Sequence, residues 1–526
     1  MQVLVPWHPE EIKAPLNPFQ FSYRNYTNRL QVERQINTDI YNVEIRKNQN
    51  KNLPSISWKL REQLILDLKK HDFGKDEIAV FQALILGQRR EISNELYKDY
   101  AAAGAIHILA ISGLHIGILL FILNYLFKGL DRIKYGKQIK TIIIILLLWG
   151  FAVLTGLSAS VVRAVTMFSF LAIGLQMKRK TSVLNSLSLS LFLLLLINPY
   201  YLFQVGFQLS YLAVFSIIMF QPMIYRLVKS KIKIVDYLWK LSSVSLAAQI
   251  GVLPLSLYYF HQFPGLFLAT NLIILPFLGV LLAFGILVIV LAFFELLPGL
   301  ISEIFNFILS KMNGFIEWIA EIDSFIFNNI PFSLLQTLAL YLIFSGILLF
   351  IKRPSYPKIC FVLISILIFQ LSTFGFRNNI PSTESVIFHK ARQSVFSIKK
   401  QEKLNVYSND QSDFTFLQDY MRERSIKELQ KYPIPNILDL SGKLCLVIDS
   451  SGVYELENFK PEVLILRNSP KVNLERIIDQ LSPKKIIADG SNYHTFVNRW
   501  KITAGDKKIP FHHTGEKGAF IVNSNQ

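Results

Sequence analysis

Long apolar runs between about residues 105 and 375 constrain the fold of this chain more than any other feature. A helix needs roughly 20 predominantly apolar residues to cross the hydrocarbon core of a bilayer, and runs of that length recur throughout this region. The two ends of the chain are more polar and look like water-soluble polypeptide. The sequence therefore predicts a polytopic α-helical membrane protein with soluble segments at both ends.

The spacing of these runs predicts the number of spans. We expect about nine, near residues 105–127, 139–156, 158–177, 183–203, 205–228, 237–260, 263–294, 332–351 and 358–375. The tract 263–294 contains Pro264 and Pro276, and the charges of its flanking loops require it to begin and end on one side of the membrane. We therefore predict a broken or re-entrant element there, with two short tilted helices as the alternative.

Basic loops predict the orientation of the spans, because lysine and arginine are enriched in short cytoplasmic loops. The loops rich in both residues should face the cytoplasm, and they are 128–140, 178–180, 226–240 and 352–358. Both polar ends of the chain then lie outside the cytoplasm. These basic loops explain the net charge of +18. The alternative explanation is a cationic surface that binds a polyanionic partner.

The N-terminal segment has no visible export signal, because the first residues lack the apolar core of a signal peptide. Roughly 100 polar residues would have to cross the membrane without a preceding span, and long N-terminal segments do not cross easily. We therefore expect this chain to be an N-terminally shortened form of a longer protein.

The chain divides into four predicted segments. Residues 1–50 include an alternating, strand-like run near 35–46, and residues 51–104 form an amphipathic, helical linker. Residues 105–376 hold the spans. In residues 377–526, strand-like runs alternate with a helical pattern, which is typical of a layered α/β domain.

The stretch from Ala105 to Leu120, AIHILAISGLHIGILL, combines the apolar character of a span with polar and small residues, namely His107, Ser112, Gly113 and His115. Polar groups at membrane depth cost free energy and generally face a bundle interior or a water-filled path. We interpret these residues as a polar lining, with hydrogen-bonded structural histidines as the alternative. Gly113 would kink the helix or admit another backbone at close range.

Later spans carry further polar side chains. Arg163 lies in the middle of a predicted span, where an arginine is costly unless it is paired or hydrated. A guanidinium group binds phosphate oxygens through a planar fork of donors, so Arg163 fits a phosphate path; a structural arginine bonded to carbonyls is the alternative. The amides Gln208, Gln249 and Asn271 fit the same hydrated lining, although amides also hydrogen-bond helices together in a purely structural role.

No metal or cofactor site is predicted. His107 and His115 are about 80° apart around a helix, but no carboxylate or cysteine accompanies them at ligand spacing. Two cysteines, Cys360 and Cys445, indicate neither a disulfide framework nor a zinc cluster. The sequence contains no P-loop, so the energy for any transport must come from a partner.

Several motifs resemble segments of the ComEC family, the inner-membrane proteins of bacterial natural transformation. In the order of that family they are HILAISGLHIG, GLSASVVRAVTM, VGFQLSYLAVFSIIMFQP, SLAAQIGVLPLSLYYF and LFLATNLIILP. The stretch PLNPFQFSYRNYTNRL resembles the end of the family's OB-like domain, so residues 1–50 would be a partial OB-like segment.

The resemblance implies a multi-pass channel in the bacterial inner (cytoplasmic) membrane that takes up single-stranded DNA. It also implies contact with membrane lipid, and two separate partner proteins, a DNA receptor and a cytoplasmic motor ATPase. A homo-oligomer is compatible with this assembly.

Residues 377–526 resemble the later part of the metallo-β-lactamase-like domain that ends many ComEC proteins. The metal motif of that domain, His-x-His-x-Asp-His, is absent from the sequence. Arg467, Asn468 and Ser469 follow the strand PEVLIL, where the family pattern leads us to expect a histidine ligand. We therefore predict that the chain is not an enzyme, and that this degenerate domain is a structural cap or a DNA-contacting surface.

Two other functions fit a polytopic protein with polar residues in its spans. A secondary transporter or lipid-linked saccharide flippase would hold a small site between broken helices and would favour inverted repeats, which we do not find in the sequence. A membrane-anchored hydrolase would use His107, Ser112 and His115, and would cleave DNA when metal is added.

Overall fold

The computed structural model describes residues 2–4, 8–39, 43–46, 53–176, 182–409, 414–455 and 459–523. The chain forms two compact units. We call residues 1–5 and 43–368 the helical unit, and residues 6–42 and 369–526 the α/β unit.

The α-helices alternate with short 3₁₀ or π turns. In chain order they are α1 (Tyr23–Arg29), α2 (Leu53–Leu68), α3 (Lys75–Phe81), α4 (Asn94–Ala102), α5 (Gly113–Leu126), α6 (Gly136–Leu154), α7 (Ala159–Gln176), α8 (Val183–Ile197), α9 (Val205–Tyr225), α10 (Lys233–Phe260), α11 (Phe267–Phe293), α12 (Gly299–Ala320), α13 (Leu334–Lys352), α14 (Tyr356–Asn378), α15 (Gln418–Glu423), α16 (Leu474–Leu481), α17 (His494–Asp506) and α18 (Thr514–Lys517).

The strands are concentrated after residue 380. In chain order they are β1 (Gln2–Leu4), β2 (Glu10–Glu11), β3 (Arg34–Gln35), β4 (Glu44–Arg46), β5 (Phe263–Pro264), β6 (Ile326–Phe327), β7 (Thr383–Lys390), β8 (Gln393–Lys400), β9 (Lys403–Tyr407), β10 (Glu428–Tyr432), β11 (Ile437–Leu440), β12 (Lys443–Ile448), β13 (Val463–Leu466), β14 (Lys485–Ala488), β15 (Phe511–His513) and β16 (Phe520–Asn523).

Among the described residues, seven helices are long and apolar enough to cross a membrane, and they correspond to α5 with the turn after it, α6, α9, α10, α11, α13 and α14. Two shorter apolar stretches, Ala159–Gly174 and Val183–Ile197, lie where the third and fourth spans were predicted. The basic loop 178–180 between them lies outside the described residues. The helical unit is therefore that of a polytopic α-helical membrane protein.

The first predicted span, 105–127, is only partly helical. Residues 105–112 form irregular turns, and α5 begins at Gly113. The irregular backbone is covered by protein, since four of its apolar residues are buried, namely Ala105, Ile108, Leu109 and Ile111. The helix starts at Gly113 rather than near residue 105 because Ser112 caps its start within an uninterrupted apolar run.

The tract 263–294 is not broken, so the prediction of a re-entrant element there was wrong. β5 pairs with β6, and α11 then runs without a break for 27 residues with Pro276 inside it. Proline is tolerated within membrane helices because neighbouring groups and local adjustments compensate for the lost hydrogen bond. α11 packs against α12, and the β5–β6 pair brings the two ends of this helix pair together. A helix pair thus returns the chain to its starting side.

Residues 53–104 are an integral part of the helical unit rather than a linker. Buried residues of α2 to α4 share one hydrophobic core with α11 and α12. In α2 the buried side chains include Leu64, Ile65 and Leu68, whereas Trp58 is exposed. A helix with this buried stripe packs on other helices through it.

The α/β unit contains two five-stranded sheets. The first has the order β10-β9-β8-β7-β16, and the second has the order β11-β12-β13-β14-β15, in which β12 to β15 run parallel. The two sheets share an apolar core. On its other face the second sheet is covered by α16 and α17, and the first sheet by α15 and the turn before it. The unit therefore has four layers in the order α/β/β/α.

The first 50 residues are divided between the two units. β1 pairs with β4 in the helical unit, while β2, α1 and β3 belong to the α/β unit. The run near 35–46 is strand only at its ends, and residues 40–42 within it lie outside the described residues.

Candidate functional site

The start of α5 is built by Ser112 and His115. The Ser112 hydroxyl accepts a hydrogen bond from Leu114 N at 3.2 Å, and His115 Nδ1 accepts one from Ser112 N at 3.3 Å. This reciprocal pair is a capping box, which satisfies two backbone donors that a helix start leaves free. His115 is buried, and its Nε2 has no hydrogen-bond partner among the described residues. The cap therefore fixes the imidazole ring and leaves its other nitrogen buried without a hydrogen bond among the described residues.

The other predicted residues of this stretch have different surroundings. His107 is exposed, and its Nδ1 lies 3.2 Å from the carbonyl oxygen of Gly104. Gly104 has a φ of +73°, and a Cβ added there would lie 2.9 Å from Cβ of Phe267, so the turn approaches the start of α11 closely. At Gly113 an added Cβ would meet nothing within 4 Å, so the predicted close approach of another backbone does not occur there.

Arg163 in α7 is buried against the first turn of α9. Its Nη1 donates to the carbonyl oxygens of Gly206 at 3.1 Å and Phe207 at 3.4 Å. Its guanidinium carbon lies 5.5 Å from the centre of the Tyr211 ring, a cation–π distance. No carboxylate of the described residues lies within 4 Å of it, so these contacts solvate the charge without neutralising it.

The three predicted amides occupy three further positions in the bundle. Gln208 lies in the first turn of α9, where its Nε2 donates to the Leu202 carbonyl at 2.8 Å and its buried Oε1 has no partner among the described residues. Asn271 in α11 is buried, and its Oδ1 likewise has no partner in the described part of the chain. Gln249 in α10 is half-buried.

The helices that carry these residues are neighbours. α5 packs against α7 and α11, and α7 packs against α9. The Ser160 hydroxyl at the start of α7 donates to the Ile111 carbonyl at 2.9 Å, which ties α7 to the turn before α5. The structure thus brings together Ser112 with His115, and Arg163 with the α9 turn that carries Gln208. It shows no direct hydrogen bond between these two groups among the described residues.

Sequence reasoning missed the tyrosines of this bundle. Tyr211 lies under Arg163 and hydrogen-bonds Ser190 across helices at 3.1 Å, and the Tyr341 hydroxyl donates to the Gly251 carbonyl at 2.9 Å. No local pattern pairs residues so far apart in sequence. Gly251 does carry a signal, because a small residue in a span favours close helix packing, and a Cβ there would lie 2.5 Å from Cβ of Ser216.

In the α/β unit, polar residues gather at the carboxyl ends of the parallel strands. Asp489 follows β14 and is fully buried; its Oδ1 accepts from the Ser491 amide at 3.0 Å. Burial raises the pKa of Asp489 to about 6. Arg467 follows β13 and is buried too, and its Nε has no partner in the described residues. Asn468 and Ser469 come next, both with positive φ, a conformation that non-glycine residues rarely adopt.

The histidines of the α/β unit lie near this edge. His389 Nδ1 is 3.1 Å from the Thr514 hydroxyl, and the rings of His494 and His513 are 5.9 Å apart. Burial lowers the pKa of His389 and of His513. Among the described residues, no three His, Cys, Asp or Glu side chains are arranged to hold a metal ion. Cys445 lies buried between the sheets, where burial raises the pKa of its thiol to about 12.

Two family models match the chain. The one described as Competence protein matches residues 84–354, and the one described as ComEC C-terminal domain matches residues 385–524. The first match contains every predicted site residue of the helical unit. Over 325 residues the chain is 32% identical to ComE operon protein 3 of Bacillus subtilis (strain 168), which is 60% of this chain and 39% of that protein. The chain thus spans less than half the length of that relative. No solved structure matches significantly.

Proposed function

Because the chain belongs to the competence protein family, we propose that it forms a channel that takes up single-stranded DNA during natural transformation. The observation that carries this proposal is Arg163, a buried cation inside a helical bundle, bonded to carbonyl oxygens and to no carboxylate of the described residues. A charge at membrane depth is costly and is kept where it serves a pathway.

A phosphodiester strand suits this environment. The guanidinium group presents donors in a planar fork that matches phosphate oxygens, and its charge is not cancelled locally. On adjacent helices, His115 Nε2 and the Asn271 and Gln208 side-chain oxygens add polar atoms that have no hydrogen-bond partner among the described residues. Together these groups would replace part of the hydration of a polar polymer between apolar helices.

The finer architecture is part of the proposal. We place the protein in the bacterial inner membrane, with α7 and α8 as two further spans that bring the total to about nine, and with α12 returning the chain beside α11 to the side on which α11 begins. The basic loops 128–140, 226–240 and 352–358 face the cytoplasm. The α/β unit is then a soluble domain on the extracytoplasmic side.

The partners and the absence of catalysis are also proposed. A DNA receptor and a motor ATPase act as separate proteins, because the sequence contains no P-loop that could drive transport. Membrane lipid surrounds the spans, and copies of the chain assemble with one another. The α/β unit does not hydrolyse DNA, since its sequence lacks the His-x-His-x-Asp-His motif and Arg467 stands after β13.

Transformation of the native host tests the proposal. A clean deletion should abolish recovery of transformants from added DNA, and the restored wild-type chain should recover it. Labelled DNA should then remain outside the inner membrane of the deletion strain. Normal transformation of the deletion strain would rule out the uptake channel, and metal-dependent cleavage of DNA by the purified protein would rule out the non-catalytic assignment.

A further inference from the structure

A cavity of about 530 Å³ opens between α16 and α17 on the helical face of the second sheet. Its lining includes Lys471, Asn473, Phe496, Arg499, Trp500 and Thr503. Small-molecule sites in proteins fall in the range of about 300–1,000 Å³, so the cavity is large enough for one nucleotide. It lies away from the buried Arg467 and Asp489, neither of which lines it.

The floor of the cavity is aromatic. Trp500 is 2% exposed and belongs to the core between the sheet and the two helices, whereas Phe496 is half-buried and faces the cavity at its edge. Their ring centres are 5.7 Å apart. The guanidinium carbon of Arg499 lies 5.2 Å from the centre of the Phe496 ring. The guanidinium lies over the aromatic ring, and its outer planar face is a surface on which a nucleobase stacks.

The rim of the cavity is cationic and uncompensated. Lys471 and Arg499 are both exposed, and neither has a carboxylate within 4 Å among the described residues. Three cations on these helices or at the end of α17 are paired: Arg476 with Glu455, Lys501 with Glu516, and Lys507 with Asp479. Lys471 and Arg499 therefore place two exposed positive charges, with no carboxylate partner in the described part of the chain, at the rim of the cavity, which favours an anionic ligand.

We propose that this cavity binds one nucleotide of a single-stranded DNA chain. The base stacks on the Arg499 guanidinium, which the Phe496 ring supports from below, and the adjoining phosphates contact Lys471 and Arg499. The identity of the polymer rests on the proposed function, whereas the need for an anion joined to an aromatic group follows from the cavity itself. An acidic peptide would pair with the cations at the rim of the cavity, but its carboxylates carry no base that could stack at the aromatic floor.

Fluorescence anisotropy with labelled oligo(dT) and the full-length protein in detergent tests this site. Removing the two cations together, by Lys471→Gln and Arg499→Gln, should weaken binding and make the slope of log K against log salt less negative by about 0.7 for each lost phosphate contact. Phe496→Leu should weaken binding roughly 5- to 100-fold, the range for one stacked base. The controls are Tyr493→Leu, an exposed aromatic at the start of α17, and Lys460→Gln, an exposed cation outside the cavity; both should bind as wild type does.

A second binding measurement uses a DNA strand with abasic sites, which lacks bases that can stack. This strand should bind the wild-type protein more weakly than oligo(dT) does and should be insensitive to Phe496→Leu. Equal binding of the two strands, equal competition by poly-glutamate, unchanged binding by the cavity variants, or no binding to the wild-type protein would each overturn the proposed site. Because Arg499 is exposed, its variant keeps the test valid if Phe496→Leu misfolds. Transformation of the deletion strain tests the uptake channel independently of this site, because the strain can fail to transform whether or not the cavity binds DNA.

Discussion

One buried charged side chain in each unit, Glu384 in the α/β unit and Arg163 in the helical unit, is stabilised in an opposite way. In the α/β unit, Glu384 is 1% exposed and is fully paired. Its two carboxylate oxygens accept hydrogen bonds from Arg424 Nε and Nη2, both at 2.8 Å, and one of them also accepts from the Tyr420 hydroxyl at 2.7 Å. Opposite charges in a two-pronged arrangement neutralise each other locally.

In the helical unit, Arg163 is 4% exposed and has no such partner in the described part of the chain. It is bonded to the carbonyl oxygens of Gly206 and Phe207 and lies over the Tyr211 ring. Carbonyl dipoles and a ring quadrupole stabilise a cation but leave its net charge. A closed ion pair serves the fold, whereas an uncompensated cation remains able to attract a passing anion.

The largest expected effect comes from removing the uncompensated cation. Arg163→Ala should abolish transformation while the membrane retains the protein, because the loss of the charge removes the phosphate contact that we propose for Arg163. Arg163→Lys should restore part of the activity, since it keeps the charge but not the planar fork. Transformants per cell, normalised to the amount of membrane protein, give the measurement.

The matched control is Arg61, which also donates to a helix-end carbonyl, that of Leu154, at 3.1 Å. Arg61→Ala should lower the amount of folded protein without lowering uptake per molecule. If Arg163→Ala also lowers only the amount of protein, Arg163 has a structural role, and the contrast between Arg163 and the paired Glu384 disappears.

Breaking the closed pair should have the largest effect on stability. Glu384→Ala leaves Arg424 without its partner, and removing one member of a buried pair typically costs about 3–5 kcal/mol. The readout is urea-dependent labelling of the buried Cys445 in full-length protein that carries Cys360→Ser, because Cys360 is exposed. Glu428→Ala is the control: its pair with Lys403 is more than half exposed on both sides and should contribute little. Equal shifts in the two variants would contradict the assignment.

Asp489 is a second buried acid in the α/β unit, and it lacks the closed pair of Glu384. Its folded pKa of about 6 exceeds the ordinary value of 3.8, so the folded chain binds a proton between about pH 4 and 6 that the unfolded chain has lost. This group's contribution to stability therefore falls as pH rises through that window, by up to about 3 kcal/mol. Asp489→Asn should remove that slope and raise the urea midpoint at pH 8.

Asp449 provides the control for Asp489, because it forms the same kind of turn but its pKa is shifted in the opposite direction. Its Oδ1 accepts from the Ser451 amide at 2.9 Å, and the Ser451 hydroxyl holds the pKa of Asp449 below its usual value. The contribution of the Asp449 carboxylate to the stability of the folded chain is present above about pH 4 and is lost as the pH falls. Asp449→Asn should therefore lower the urea midpoint at pH 8, and a shift in the same direction as Asp489→Asn would refute the role of burial.

The sequence predicts the parts of this molecule that depend on composition and local pattern. Apolar runs of span length predict the polytopic bundle. Arg163 is conspicuous in the sequence because a charged residue inside an apolar run is rare, and the structure buries it. Alternating strand and helix patterns after residue 380 likewise anticipated a layered α/β arrangement, which the two sheets and their covering helices have.

Other features depend on contacts between distant segments. Glu384 and Arg424 are 40 residues apart, and nothing near either predicts the pair. The prediction of a broken element in the tract 263–294 is wrong, because only the β5–β6 pairing reveals that α11 and α12 together return the chain. The turn before α5 lies within a continuous apolar run, so the apolar pattern does not predict it. Ser112 alone, as the N-cap, marks the start of α5 there.

That serine gives the smallest and most discriminating prediction. Ser112→Ala removes a helix cap, which typically costs about 1 kcal/mol, and it also frees the His115 ring that the cap holds. The same unit contains a second capping box at the start of α13, formed by Ser333 and Gln336. Ser333→Ala should lower the melting temperature in detergent by a similar amount.

Only Ser112→Ala should reduce transformation, because only that cap orients an imidazole beside the helices that carry Arg163 and Asn271. Ser112→Thr, which keeps a hydroxyl oxygen at the cap, should restore both stability and transformation. If the two alanine variants lose stability and transformation in parallel, the caps are equivalent and His115 has no role beyond closing a helix start. If stability falls equally and transformation differs, the polar groups of the helical unit act together at one place.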